Sequence, residues 1–466
     1  MPALRGFLEA MPSLADALYL KAPHWLQSAA LSLYGLRLRR QRYGGVHPAE
    51  LERLLGSQWW PGEELRRLQL DRLNHTLGLA RQLPYYRDLP PGPLHDLRDL
   101  AQLPILEKDA LRAMRWAPAS GGGLSVHTGG TTGTPLTIYC DKRALQRNYA
   151  FFARFLSWAG IEAGARTATF AGRVLMSPDQ KRPPFWRHNW AANTLLLSSY
   201  HLGQNTVEAY AEALARFRPA LIDSYPSSLE PIARHVVATG RTDIRPRAIV
   251  TSSETLAPSV RALFTRAFSA PVFDYYGSAE MVAFISQCEQ GSYHVNPEYG
   301  VVELVGPDGP VAPGEVGQVI ATGFINTVMP LVRYRMGDLA ALSERGCACG
   351  RHFPVIETIQ GRLDDVVTTP DGRRIGRLDP IFKAVESIAE ARIVQDRVDH
   401  IQLEYVAGEP LSDRERTELL AQLTKRIGVQ MAIDIVRVPS IPRTNAGKLR
   451  TVENRVAAGR TKGEER

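Results

Sequence analysis

Between residues 217 and 277 the chain repeats one pattern: a short apolar run, a polar turn, then an amphipathic stretch of helical period. Residues 220–224, 248–252 and 272–276 read as strands, with helices at 228–238 and 258–268 between them. Strands separated by helices of this length imply a parallel sheet covered by helices. In such sheets ligands collect at the carboxyl ends of the strands. The polar segments Tyr225-Pro226-Ser227, Ser252-Ser253-Glu254 and Tyr276-Gly277-Ser278-Ala279-Glu280 are therefore expected on one rim, which is the candidate site.

The rest of the chain is arranged around that unit. At 466 residues it exceeds what one hydrophobic core usually supports, so two or three domains are expected. The first hundred residues read as helices broken by prolines, such as 65–82 before Pro84. Residues 300–305 and 317–322 flank a loop with Pro307-Asp308-Gly309 and read as antiparallel strands. After Gly361 a new pattern begins: strands around the turn Pro370-Asp371-Gly372, a helix at 380–389, a hairpin within 392–405, a helix at 413–427 and a strand at 432–438. The expected fold is α/β, with a large N-terminal domain (1–363) of parallel sheets covered by helices plus a β-barrel-like subdomain, followed by a small mobile α+β domain (364–466).

Net charge is +8, which suits nucleic acid, an anionic surface or polyanionic small ligands. No RNP-type aromatic motif and no paired-Cys/paired-His finger is present, so nucleic acid is not an expected partner. The densest basic cluster, Arg37, Arg39, Arg40 and Arg42, reads as a solvated helix face. Glu9, Asp16, Lys21 and His24 interrupt the N-terminal apolar runs, which argues against a signal peptide or membrane span and for a cytoplasmic protein without integral membrane association. Residues 14–38, with Trp25 and Tyr34, have the pattern of an amphipathic helix able to lie on a membrane, but packing on the main domain is the expectation. Four cysteines in so long a chain do not form a disulfide scaffold.

The most informative stretch is His127-Thr128-Gly129-Gly130-Thr131-Thr132-Gly133-Thr134-Pro135. Its glycines let the backbone curl so that several N–H groups face one anion, and its threonines add neutral donors. That composition suits a triphosphate, although the Gly-Lys-Ser/Thr ending of a Walker loop is absent and a plain turn is the competing reading.

Taken with its neighbours, this loop resembles that of the adenylate-forming acyl-CoA synthetases, in the phenylacetate-CoA ligase-like branch that includes CapK proteins. The resemblance rests on five motifs in order: Thr128 to Pro135, the Tyr276 to Glu280 segment, Tyr334-Arg335-Met336-Gly337-Asp338, Gly361-Arg362-Leu363-Asp364-Asp365, and Pro442-Arg443-Thr444-Asn445-Ala446-Gly447-Lys448-Leu449-Arg450. It implies ATP- and magnesium-dependent activation of a small carboxylic acid as its acyl-adenylate, then transfer to coenzyme A. Transfer to an amine, sugar or carrier protein, transfer of AMP onto a cofactor, and a noncatalytic relative are the alternatives.

The resemblance also implies roles. Thr128 through Thr134 bind the phosphates, Tyr276 with Gly277 packs on adenine, and Ser253, Glu254 and Thr255 line the adenine edge. Glu280 holds magnesium, Asp338 accepts the ribose hydroxyls, and Arg362 contacts ribose or phosphate. Lys448 supplies positive charge to the α-phosphoryl group, and Asp364 is the hinge that swings the small domain between two half-reactions. Tyr225, Ser227, Tyr275, Ser278 and Ala279 line the acid pocket, whose aromatic and small residues favour a modest aryl or alkyl acid. Two positions depart from the common pattern: Thr134 stands where many relatives carry a basic residue, and Ala279 where they carry threonine or serine. A monomer or homodimer is expected.

Cys288 precedes His294 by six positions, and Cys347-Ala348-Cys349-Gly350 follows the next β segment. Three thiolates and one imidazole would close a structural zinc shell, with separate buried thiols as the competing reading. Some phenylacetate-CoA ligase-like proteins look similar here and bind zinc, which implies a clamp beside the rim. Cys140 is left over as a buried thiol.

Overall fold

A computed structural model describes residues 14–113, 123–127, 136–171, 175–177, 180–362, 367–370, 374–375, 378, 381–382, 385, 387–443 and 449–456. The chain begins with helices α1 (Leu14–Lys21), α2 (His24–Tyr43), α3 (His47–Ser57), α4 (Gly62–Ala80) and α5 (Lys108–Ala113). Strands β1 (Leu124–His127) and β2 (Thr137–Cys140) then pair antiparallel. The residues between them, 128–135, carry the expected phosphate loop and lie outside the described residues.

Helix α6 (Lys142–Trp158) shows why its sequence folds this way. The Asp141 carboxylate accepts from Ala144 N at 2.6 Å, satisfying a donor the helix itself cannot. Ala144, Phe151, Phe155 and Trp158 then fall on the face buried against the sheet. Cys140 sits in the same core, where burial pushes its thiol up to about 12.

The central sheet follows in β3 (Thr167–Ala171), β4 (Trp186–Asn189), β5 (Thr194–Ser198), β6 (Leu221–Ser224), β7 (Ala248–Ser252) and β8 (Val272–Gly277), with α7 (Val207–Phe217), α8 (Pro226–Ala238) and α9 (Pro258–Phe268) crossing over between β5, β6, β7 and β8. β5, β3, β6, β7 and β8 are mutually parallel in that order. β7 is buried along its whole length, as a strand covered on both faces must be. α8 and α9 each open with proline, whose fixed φ suits the first helical turn, and α9 ends in a left-handed Ser269 whose N–H returns to Thr265.

From β8 the sheet turns antiparallel through β9 (Phe284–Gln287), β10 (Tyr293–Val295), β11 (Gly300–Gly306), β12 (Gly309–Pro310), β13 (Val316–Gly323), β14 (Tyr334–Leu342) and β15 (Val355–Arg362). The strands expected in a barrel-like unit are thus the antiparallel end of the same 13-stranded sheet, whose outermost members are β12 and β4. Two glycines fix how the rim approaches this end. Gly300 and Gly323 oppose each other in register, and a Cβ on either would strike the backbone of Met281 or Val282. The segment following Glu280 can cross the sheet only because both side chains are missing.

The carboxyl-terminal part builds its own sheet and core. β18 (Glu390–Arg397) and β19 (His400–Val406) form the expected hairpin, β20 (Ala432–Arg437) and β21 (Val452–Asn454) flank it in parallel, and α10 (Asp413–Ile427) covers it. β16 (Val367–Thr368) and β17 (Arg374–Ile375) pair beside them; of the helix expected at 380–389, Ile381 and Phe382 are helical, 387–389 form a turn and bend, and 380, 383, 384 and 386 lie outside the described residues. α10 starts on a reciprocal Ser412–Glu415 capping box. Ile393, Ile401, Leu403, Leu419 and Leu423 form a core separate from those beneath the large sheet.

Candidate functional site

The rim assembles from the ends of strands distant in sequence. Ser227, at the start of α8, donates from its backbone N and its hydroxyl to the two carboxylate oxygens of Glu254, which follows β7, at 2.9 and 2.8 Å. Tyr276, on β8, donates its phenol to Asp338 on β14 at 2.6 Å. Asp338 in turn lies opposite Arg362 in the β14–β15 register, and the Arg362 side chain lies outside the described residues. A Cβ on neighbouring Gly361 would come within 3.2 Å of the Thr255 hydroxyl, so that threonine borders the same strand end. Three of the five motifs therefore meet in one place.

Glu280 is buried and accepts from the Tyr334 hydroxyl at 3.2 Å. Among the described residues it makes no ion pair. A carboxylate withdrawn from water that accepts from one phenol keeps acceptor capacity for a hard cation, so Glu280 fits magnesium.

Three non-glycine residues bordering the motifs adopt left-handed backbone: Ser253 (φ 71°), Met281 (φ 56°) and Arg333 (φ 47°). Each costs about 1–2 kcal/mol and persists only where the surroundings fix it. For Arg333 they do: its N–H donates to the Thr322 hydroxyl at 2.9 Å, and its guanidinium pairs with Glu303 at 2.9 Å.

The small domain touches this rim. Arg443 donates to the Ser227 hydroxyl at 3.1 Å with one nitrogen and pairs with Glu390 of its own domain through another. Leu449 N donates to Glu254 at 3.2 Å, so that carboxylate holds three hydrogen bonds, two from α8 and one from the small domain. Burial holds the Glu390 carboxyl above its ordinary value, against the opposing pull of Arg443. Residues 444–448, with Lys448, and Asp364 lie outside the described residues.

Of the residues expected in the acid pocket, Ser227 is engaged by Glu254 and Arg443. Tyr275 is buried against Phe152, Phe155 and Phe284, and burial raises its phenol far above the ordinary range. Ala279 packs against the core beneath it, and the Ser278 hydroxyl is buried without a partner among the described residues. Tyr225 is the residue before α8, two positions ahead of Ser227.

Cys288, His294, Cys347 and Cys349 come together with all ligand atoms within 4.8 Å of one another. Cys288 Sγ lies 3.6 Å from Cys347 Sγ, and Cys349 Sγ lies 3.3 Å from His294 Nε2. A tetrahedral shell with zinc–sulfur bonds of about 2.3 Å has edges of roughly 3.8 Å, so these separations fit a four-coordinate metal. Burial lowers His294 to about 4, leaving the imidazole neutral with its lone pair available. Trp158 and Phe353 pack edge-on to His294, and Arg351, paired with Glu289, stacks over Trp59 and Trp158 to close the outer side.

The cluster is not beside the rim. In the β8–β9 register Gly277 faces Phe284 and Tyr275 faces Ser286, so Cys288 lies toward the start of β8, at the opposite end from the rim.

Sequence reasoning assigned no role to Arg443 or Tyr334, although both lay within quoted motifs. It also passed over Asp274, a buried carboxylate on β8 that accepts from Thr251 at 2.6 Å and Tyr293 at 2.8 Å, tying β7 and β10 to β8. Burial pushes it up to about 6. An acidic residue inside an apolar strand was the available signal.

The structure aligns with 2-hydroxyisobutyryl-CoA ligase in the postadenylation state at a TM-score of 0.70, with 22% identity over 87% of this chain and 93% of that one. The fold is that of the adenylate-forming CoA ligases. A family model described as the CapK C-terminal domain matches residues 367–455. Protein CapK of Staphylococcus aureus is 25% identical over 94% of this chain and 99% of its own, and phenylacetate-coenzyme A ligase of Thermus thermophilus is 25% identical over 87% and 99%. The homologues of this chain are thus CapK and the phenylacetate-CoA ligases.

Proposed function

We propose that the chain is an AMP-forming carboxylate ligase that activates a small carboxylic acid with ATP and magnesium and passes the acyl group to coenzyme A. The observation that carries this reading is the docking of Arg443 and Leu449 on the Ser227–Glu254 pair. It brings both ends of the lysine motif to the rim where Tyr276 and Asp338 meet. The acid's carboxylate oxygen attacks the α-phosphorus and pyrophosphate leaves; the acceptor thiolate then attacks the acyl carbon and AMP leaves. Negative charge developing on the α-phosphoryl oxygens calls for a cation, and Lys448, which precedes Leu449 in the chain, is the residue assigned to it. Glu280 would hold magnesium, and Asp338 with Tyr276 would position the nucleoside.

The domain division falls at residues 363 and 364, with Asp364 as hinge, and the separate carboxyl-terminal core supports it. No helix of the described residues is long and apolar enough to cross a membrane. The Cys288–His294–Cys347–Cys349 cluster would hold one structural zinc, since its four donors fill a tetrahedral shell.

Carboxylate-dependent pyrophosphate release across a panel of acids tests the reading, with coenzyme A, amines and sugars then compared as acceptors. Glu280→Gln is expected to weaken magnesium-dependent turnover and Asp338→Asn to raise KM for ATP. Wild-type kinetics in both variants would remove the rim as the site.

A further inference from the structure

Helix α2 presents two unlike faces. Gln27, Ser28, Gly35, Leu38 and Arg42 are buried against the body of the protein. Ser28 accepts from His188 N at 3.2 Å and Ser32 from Trp190 N at 2.9 Å, so the helix is pinned at several points and cannot roll. The opposite face leaves large apolar side chains in solvent: Leu33 is 70% exposed, Trp25 61%, Leu36 47% and Leu26 44%. Trp190, bonded beside Ser32, adds another at 60%. Scattered apolar residues on a surface need no explanation, but this many on one helix face and its neighbour do.

The charge on this face narrows what can cover it. From His24 to Tyr43 the helix contains no aspartate or glutamate, and of its arginines Arg37, Arg39 and Arg40 are exposed while Arg42 turns to the body. Leu33, Leu36, Arg37, Arg40, Gln41 and Lys142 line one open cleft of about 460 Å³, so three cations border the apolar row with no carboxylate among them. A second copy related by a two-fold axis would set the same patch against itself, bringing arginine to arginine. A surface that is negative at its outer layer and apolar just beneath matches the pattern instead.

We infer that the outward face of α2, with Trp190, docks the protein on an anionic lipid bilayer. The helix lies in the plane of the interface: Trp25, Leu26, Leu33 and Leu36 enter the boundary between headgroups and acyl chains, while Arg37, Arg40 and Lys142 reach phosphate oxygens at headgroup level. The apolar row from Trp25 to Leu36 covers 11 steps, about 16 Å of helix, which lies on a membrane and does not cross one. Trp25, Leu26, Leu33 and Leu36 belong to none of the core clusters, so the docking face can be altered without touching the rim.

The test is sedimentation of the full chain with vesicles of phosphatidylcholine alone or mixed with phosphatidylglycerol. Binding is expected only to the anionic vesicles, and it should weaken as salt rises. Arg37→Ala with Arg40→Ala should reduce vesicle affinity by about thirtyfold, each cation near an anionic surface contributing about fivefold. Trp25→Ala with Leu33→Ser should reduce it as well, and both double variants should keep the wild-type melting temperature. Failure to sediment with anionic vesicles, equal binding to both vesicle types, or unchanged affinity in the variants would overturn the assignment. So would a dimer in solution that Leu33→Asp dissociates, since the face would then belong to a second copy.

Discussion

Replacing Arg443 by alanine separates the two half-reactions proposed for this chain. Arg443 makes one contact across the domain boundary, to the Ser227 hydroxyl at 3.1 Å, and one within its own domain, to Glu390. In the proposed cycle the small domain rotates, which would break only the first contact, so only that contact weights the docked state. A hydrogen bond to a charged group contributes about 1.5–3 kcal/mol, and the side chain's partial exposure trims this to about 1–2 kcal/mol. The ratio of docked to undocked molecules should fall about 5- to 30-fold, slowing acyl-adenylate formation by up to that factor. Thioester formation from preformed acyl-adenylate, which in the proposed cycle uses the rotated domain, should be unchanged or faster. Arg443→Lys keeps the charge and should recover part of the loss. The assay is pyrophosphate exchange beside single-turnover thioester formation, with melting temperature as the control for folding. Equal slowing of both steps, or none of either, would refute the claim that this contact sets the docked conformation.

Two further outcomes follow from the buried groups. Protein purified without a histidine tag should carry about one zinc per chain by mass spectrometry, and His294→Ala or Cys349→Ser should lower metal content and melting temperature together, by about 2–4 °C per kcal/mol lost; metal-free protein of full stability would return the cysteines to plain buried thiols. Asp274 is raised by burial from 3.8 to about 6, so the native state holds its proton longer than the unfolded chain does. The stability it contributes is complete below the unfolded value and is lost as pH rises through about 6, amounting to about 3 kcal/mol. Urea denaturation of Asp274→Asn should lack this fall between pH 4 and 6 relative to wild type, and an identical pH profile would refute the shift.

How much was legible in the sequence depends on what each element shows to its neighbours. Strand β7 was visible because burial on both faces writes the apolar run Ala248-Ile249-Val250, β8 was visible from its aromatic and β-branched residues despite Asp274, and α9 and α10 were bounded correctly because proline, the Ser412–Glu415 box and Gly428 mark their ends. α4 begins at Gly62, earlier than the expected residue 65, because Glu63 and Glu64 form an exposed first turn and the apolar period starts only at Leu65. The continuity of the antiparallel strands with the parallel ones was not readable, since ladder pairing is made by backbone groups that every residue shares. Motif residues such as Tyr276 and Asp338 were found, but their mutual hydrogen bond was not, and neither was the grip of Glu254 on Leu449. An arginine on a Pro-Thr-Asn loop looks like any solvated cation until a second domain is seen beside it.

The position of the cysteine cluster bears on what metal loss can do. Cys288 lies four residues beyond Phe284, the partner of Gly277, which places it about 13 Å along the strand from the rim. On the other side His294 pairs with Val355 at the start of β15, and Arg362 stands seven residues further, about 23 Å away. The cluster thus ties the loop after β9, strand β10 and the loop between β14 and β15 at the end of the sheet remote from Tyr276 and Asp338. A metal held there cannot polarise a substrate at the rim. It can fix the register of the strands that deliver Tyr276, Asp338 and Arg362 to one place, so its removal should act first on stability, and on turnover only as far as those strands shift.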